Sequence, residues 1–351
     1  MKWLKIQAKA SNKAIEEQAL AHQAELTKPP GSLGRLESIA TEIAGLQGVK
    51  KPSLHQVMIR VFAADHGAVE EGISAFPQVV TGEMVKNFAA EGAAITVLAS
   101  SLHADFGVIN LGTVNELPEL SKVQDQRIAP GTQNFCSQAA MSSEQLEQAL
   151  VAGQAVVIDA MANAAQLFIG GEMGIGNTTS ASALASAILN LPASDLIGRG
   201  TGVDDEGIKR KQHVVEQALK LHNLDNNSLD VDIVECLRCV GGFEIAGLVG
   251  AYIASAQAGI VVLVDGFISS VAALVAVRIN SSIRPWLYFS HQSAEAGHAR
   301  VLEALEAEPL LALNMRLGEA SGAAMAAPIM QMACRLHAQM ATFESAGVSE
   351  S

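Results

Sequence analysis

The amino-acid sequence predicts an α/β fold with a mostly parallel sheet covered by helices on both faces. Two observations carry this. A short apolar run, a Gly-rich or polar turn and an Ala-rich helical stretch recur in that order along the chain. The apolar runs are continuous rather than alternating, as in strands buried on both sides. The length of 351 residues, with 49% hydrophobic, allows a large core. No repeat of fixed period, low-complexity tract or obvious linker interrupts it.

Residues 1 to about 48 read as helical, with a break at Lys28-Pro29-Pro30-Gly31-Ser32-Leu33-Gly34. The prolines there forbid helix, and Ser32 is placed to cap the next one. That helix runs through Leu33, Leu36, Ile39 and Ile43, spaced for one apolar face. The first strand, Val57 to Phe62, ends in Ala63-Ala64-Asp65-His66-Gly67, and the second, Phe106 to Leu111, ends in Gly112-Thr113. Leu167 to Ile169 runs into GGEMGIGNTTSAS, residues 170–182. Ile245 to Val264 is twenty residues without a formal charge, which meets the length of a membrane span. Gln257 and Ser255 inside it, Gly259 splitting it, and Glu244 and Asp265 bounding it favour a buried helix and then a buried strand. That strand, Ile260 to Val264, ends in Asp265-Gly266-Phe267, and Trp286 to Phe289 ends in Ser290-His291.

In such sheets the ligand lies beyond the carboxyl ends of the strands, where all these polar residues fall. The loop at 170–182 exposes backbone N–H groups, and the helix after it adds its positive dipole end, a combination that binds phosphate. Thr178, Thr179 and Ser180 are placed to cap that helix or to donate to a phosphate oxygen. The loop matches neither common nucleotide fingerprint: no Lys follows the glycines, and the third glycine of a dinucleotide loop is missing. On spacing alone, a plain tight turn stands beside the phosphate reading. Arg199, Lys209, Arg210 and Lys211 follow the turn-like Gly198-Arg199-Gly200-Thr201-Gly202; a solvated helix face is the usual reading, with one cation reaching a phosphate as the functional one. Glu319 lies among small and apolar residues just before a helical run, as a cap or, if partly buried, as a general base.

The net charge of −13 argues against a nucleic-acid or anionic-membrane surface. The charged N-terminal stretch lacks the apolar run of a signal peptide, so a cytoplasmic location is expected. Cys236 and Cys239 have the spacing of half a zinc site, but no second pair completes four ligands. Asp65 and His66 make an incomplete metal site, and the spacing of His291 and His298 does not fit two ligands on one helix turn. No metal and no cofactor is expected.

Nine segments in register, covering nearly the whole chain, resemble the nicotinate-nucleotide-dimethylbenzimidazole phosphoribosyltransferase family of cobalamin biosynthesis: KPPGSLGRLE, FAADHGAVEEGISAFPQVVTGEMVKNF, RIAPGTQNF, GEMGIGNTTSAS, GRGTGVDDEGIKRK, VGGFEIAG, VLVDGF, SHQSAEAGH and NMRLGEASGAA. The resemblance implies a Rossmann-like large domain over 49–305, a small domain from 1–48 and 306–351, and a homodimer. It implies transfer of the 5-phosphoribosyl group of nicotinate mononucleotide to 5,6-dimethylbenzimidazole, with Glu319 as the base. Carried over residue by residue, Glu172, Gly174, Gly176, Asn177, Thr178 and Lys211 bind phosphate and ribose. Ser74, Phe76, Glu83, Met84 and Leu317 lie against the acceptor base, and Asp265 and Ser290 are further site candidates. The chain departs from the family pattern at Glu83, where Gln is common, and at Asn110, where Asp is common; the first bears on acceptor selectivity, because a carboxylate accepts where an amide also donates. Two rivals remain at this point: a metal-dependent phosphosugar or nucleotide hydrolase using Asp65 and His66, and a non-catalytic nucleotide sensor using the same glycine loop.

Overall fold

A computed structural model describes residues 1–200, 202–225 and 232–349. Thr201, in the second glycine-rich turn, lies outside the described residues. Among the described residues six strands form one sheet: β1 (Val57–Ala64), β2 (Asp105–Gly112), β3 (Val123–Asp125), β4 (Leu167–Met173), β5 (Val261–Val264) and β6 (Leu287–Phe289). Their order is β3-β2-β1-β4-β5-β6, and every pairing is parallel. This is the doubly wound order, in which the direction of winding reverses between β1 and β4 and opens a crevice beyond their carboxyl ends.

The helices are α1 (Lys13–Glu25), α2 (Arg35–Gln47), α3 (Val79–Ala89), α4 (Ala94–Ser101), α5 (Ser143–Ala162), α6 (Asn177–Leu189), α7 (Asp205–Leu221), α8 (Ile233–Val240), α9 (Phe243–Ala258), α10 (Phe267–Ile279), α11 (His298–Ala304), α12 (Ser321–Gln339) and α13 (Phe343–Ala346). Successive residues of a strand face opposite ways. A Cβ on Gly170 would meet Leu248 and Tyr252 of α9, and one on Gly171 would meet Glu319 and Ala320 at the start of α12. Those two elements therefore cover opposite faces of the sheet. Helix α2 packs on both α1 and α12, and α12 also reaches β4 and β5.

The apolar stretch 245–264 divides as expected. Helix α9 closes on left-handed Gly259, and β5 follows. Among the described residues, no helix is long and apolar enough to cross a membrane.

The structure departs from the sequence reading at three places. Residues 6–12 are not helical. Their backbone groups, and those just before them, are taken by distant side chains: Gln257 and Asn280 donate to carbonyls of Trp3, Leu4 and Ile6, and the Trp286 indole donates to Lys9 at 2.9 Å. A short segment nucleates helix poorly, so these long-range bonds win. Ser32 does not cap α2. The N-cap is Gly34, without a side-chain bond, and Leu33 lies before the helix, where its N–H, like that of Gly31, donates to the Glu37 carboxylate. Finally, residues 170–173 are strand rather than loop. The bare turn between β4 and α6 is only Gly174-Ile175-Gly176, and Gly170 and Gly171 lack side chains because helices press on both faces of β4 there.

Candidate functional site

Beyond the ends of β1, β4, β5 and β6 lies a cavity of about 300 Å³, lined among others by Glu172, Asn177, Thr178, His291, Arg316 and Glu319. The turn at its base is held tightly. A Cβ on Gly174 would collide with the Ala64 carbonyl, and Gly176, with φ of 97°, adopts the left-handed conformation that glycine tolerates. Gly176 is the N-cap of α6 and provides no side-chain bond; the Asn177 N–H closes back onto the Gly174 carbonyl and the Thr179 N–H onto that of Gly176, which leaves the Thr178 N–H and the positive dipole end of the helix for an anion. None of the three side chains expected to cap α6 does so: the Ser180 hydroxyl donates to the Val240 carbonyl at 2.5 Å, Thr178 Oγ1 lies 3.4 Å from Lys211 Nζ, and the buried Thr179 hydroxyl has no partner among the described residues.

Lys211 enters from α7, 3% exposed, and also reaches the Gly198 carbonyl. Burial lowers its pKa, while the Glu295 carboxylate opposes that. A Cβ on Gly200 would come within 2.9 Å of both Lys211 Nζ and Thr178 Oγ1, so the second glycine-rich turn seats the lysine on the phosphate turn. The other cations of that run are elsewhere: Arg199 pairs with Asp205 in solvent, Arg210 donates to the Gly72 carbonyl, and Lys209 is exposed on α7.

Four carboxyls gather at the strand ends. Glu172, the penultimate residue of β4, is buried and accepts a short hydrogen bond from the Asn177 amide. Burial raises its pKa well above the usual carboxyl range, and Asp265, Glu244 and Glu319 push the same way. Gly318 has no side chain because one would lie 2.5 Å from a Glu172 oxygen. Glu319 is 7% exposed, and burial, aided by Asp265, lifts its pKa to about 7. Gly318, Glu319 and Ala320 have φ of 82°, 62° and 70°. Two non-glycine residues in that region cost on the order of 1 kcal/mol each, strain of a kind that gathers at working sites. Asp265, after β5, accepts from the Ala323 N–H at 2.9 Å and so fixes the start of α12 behind Glu319.

The histidines divide by role. His291 lines the cavity, its Nδ1 2.9 Å from the hydroxyl of buried Ser290, which supports it from behind. His298 Nδ1 accepts from the Ser293 N–H, which leaves Nε2 to donate to Ser270 at 3.0 Å. Burial, with His291 nearby, presses its pKa down to about 3, so it remains neutral. His66 bonds Glu244 at 2.8 Å with both side chains fully buried, and Asp65 accepts from Thr81 and from the Val114 N–H. Among the described residues, no group of three or more His, Cys, Asp or Glu is arranged to hold a metal. Cys236 and Cys239 are free buried thiols whose pKa burial raises to about 12 and about 11.

Of the residues expected against the acceptor base, Phe76 and Leu317 line the cavity. Ser74 stands behind Phe76 and accepts its N–H at 3.2 Å. Met84, partly buried, and Glu83, exposed, lie on α3 outside the cavity lining. Asn110 accepts from the Gly112 and Thr113 N–H groups and donates to Asp125, a turn-fixing arrangement at the end of β2. The sequence reading did not single out Arg316 or Glu295, since one follows an unremarkable loop and the other acquires meaning only from its closeness to Lys211.

A family model described as Phosphoribosyltransferase matches residues 8–348. The chain is 56% identical over 348 residues to the nicotinate-nucleotide–dimethylbenzimidazole phosphoribosyltransferase of Pseudomonas putida, covering 99% of this chain and 98% of that protein. It is 57% identical over 332 residues to the protein of the same name from Xanthomonas oryzae pv. oryzae, covering 95% and 94%. The crystal structure of CobT from Thermus thermophilus superposes with a TM-score of 0.92 at 41% identity, covering 96% of this chain and all of that one.

Proposed function

The chain belongs to the nicotinate-nucleotide–dimethylbenzimidazole phosphoribosyltransferase family, and from that premise we propose how its own residues transfer the 5-phosphoribosyl group of nicotinate mononucleotide to 5,6-dimethylbenzimidazole. The observation that carries the reading is Glu319: a buried carboxyl on the cavity wall whose pKa of about 7 suits a general base at neutral pH.

The donor phosphate sits at the start of α6, against the Gly174–Gly176 turn, Asn177 and Thr178, with Lys211 as its cation. Arg316 supplies further positive charge on the cavity wall. Glu172, whose charged form burial disfavours, holds a ribose hydroxyl. Phe76 and Leu317 flank the acceptor base, with Ser74 ordering Phe76, Asp265 fixing the start of α12 behind Glu319 and Ser290 behind His291, while Glu83 and Met84 stay outside the cavity.

One benzimidazole nitrogen attacks C1′ of the ribose on the face opposite the pyridinium, and the bond from C1′ to the pyridinium nitrogen breaks. The electron pair of that bond neutralises the ring, so nicotinate leaves without needing a proton. The other benzimidazole nitrogen gives its proton to Glu319, and inversion yields α-ribazole 5′-phosphate. The proposal includes a homodimer, and the division into a large domain over 49–305 and a small one from 1–48 and 306–351.

The test incubates the protein with both substrates, with and without EDTA, and follows nicotinate and α-ribazole phosphate by chromatography for wild type and Glu319→Gln. Both products should form with or without chelator and be lost in the mutant. Nicotinate without the ribazole would make the protein a hydrolase, and binding without turnover would make it a sensor.

A further inference from the structure

His66 and Glu244 are 178 residues apart in sequence and meet at 2.8 Å with both side chains fully buried. They do not line the cavity, and the chemistry above does not use them. His66 Nδ1 and Glu244 Oε2 have no hydrogen-bond partner among the described residues, so the polar atoms of this pair are matched only to each other.

Three glycines clear space around the pair. A Cβ on Gly242 would collide with the His66 ring and lie 2.6 Å from Glu244 Oε2. One on Gly176 would touch His66 Cβ at 3.3 Å and Val69 at 2.8 Å, and one on Gly174 would strike the Ala64 carbonyl just before His66. The turn that begins α6 therefore rests directly on His66. Its far side is tied to the chain just ahead of Glu244, where the Ser180 hydroxyl meets the Val240 carbonyl. The His66 carbonyl in turn accepts from the Gln78 amide at 2.9 Å, so both the backbone and the ring of His66 are fixed.

A buried ion pair is weak evidence of stability, because apolar residues of similar volume commonly serve as well. What apolar residues cannot supply is a directional link of fixed length between the end of β1 and the start of α9, the two supports on which the Gly174–Gly176 turn sits. We propose that the His66–Glu244 pair is a positioning pair for the phosphoribosyl donor, holding the anion-binding start of α6 at the height that the donor phosphate requires. This rests on the assignment of that turn to the donor phosphate. Since neither residue lines the cavity, the effect of the pair is transmitted through Gly176.

The test uses the full-length protein and measures KM for each substrate, kcat, donor binding by calorimetry, and the thermal midpoint. The variants are Glu244→Leu, His66→Gln, and the double variant His66→Leu with Glu244→Leu. Glu244→Leu should raise the KM for nicotinate mononucleotide by about ten- to a hundredfold, with the KM for dimethylbenzimidazole nearly unchanged. His66→Gln, whose amide can still reach Glu244, should recover most of the donor affinity. The double variant should regain the thermal midpoint and still bind the donor weakly, which a purely structural pair would not do. Wild-type donor affinity in the double variant, or a proportional loss for both substrates, would overturn the proposal. Should Glu244→Leu not fold, the other two variants decide. Calorimetry reads the donor site without turnover, so failure of the proposed reaction and failure of the pair are separately visible.

Discussion

Replacing Glu319 by Gln should destroy activity and stabilise the protein, and the second effect should depend on pH. The carboxyl is buried, and its pKa is raised from 4.5 to about 7. A carboxyl whose folded pKa is raised contributes stability below its unfolded pKa and loses it as pH rises through the folded one. Between pH 4.5 and 7 the native state of the wild type therefore loses stability that Gln, which has no charge to bury, keeps. At about 1.4 kcal/mol per tenfold change in proton affinity, the difference approaches about 3 kcal/mol above pH 8. Spread over the unfolding entropy of a chain this long, that is a rise of about 4 °C in thermal midpoint. The left-handed backbone strain at position 319 is common to Glu and Gln and cancels. Scanning calorimetry at about pH 4.5 and about pH 8.5, with product chromatography at the higher pH, reads both effects; kcat should fall by about a hundredfold or more. A midpoint difference that is the same at both pH values, or a mutant that is active and less stable at the higher one, would refute the reasoning.

Three further outcomes follow from the site. Asp265→Asn removes the neighbouring carboxylate that helps lift Glu319, so the acid limb of the kcat/KM profile, expected near pH 7, should move to lower pH; a limb that stays or moves up would contradict this. Lys211→Met should weaken nicotinate mononucleotide about ten- to a hundredfold through loss of a charge-assisted contact while leaving the dimethylbenzimidazole KM within about twofold, as steady-state kinetics would report. Gly171→Ala places a methyl 2.8 Å from the backbone of Glu319 and Ala320, so it should lower kcat by at least about tenfold; equal loss in Ser74→Ala, whose hydroxyl only orders Phe76, would argue that the site tolerates such shifts poorly everywhere rather than at the base.

The local patterns of the sequence were enough to read the alternation of strands and helices, the buried parallel sheet and the placing of polar residues at strand ends. Continuous apolar runs and glycine turns act over a few residues, and so they are legible there. The same holds for the presence of a bare turn within 170–182, though not for its bounds, and for the break of 245–264 at Gly259. Three-dimensional packing decided the rest. Gly170 and Gly171 look like loop residues until helices on opposite faces of β4 show why they lack side chains. Residues 6–12 look like part of a helical segment until side chains from positions 257, 280 and 286 take up their backbone groups and those beside them. Arg316 beside Glu295, Asp265 behind Glu319 and Glu244 under His66 are encounters between distant segments. The chemistry of Glu319 depends on one of them, because burial and a neighbouring charge set a pKa and neither is a property of the stretch of chain that carries the residue.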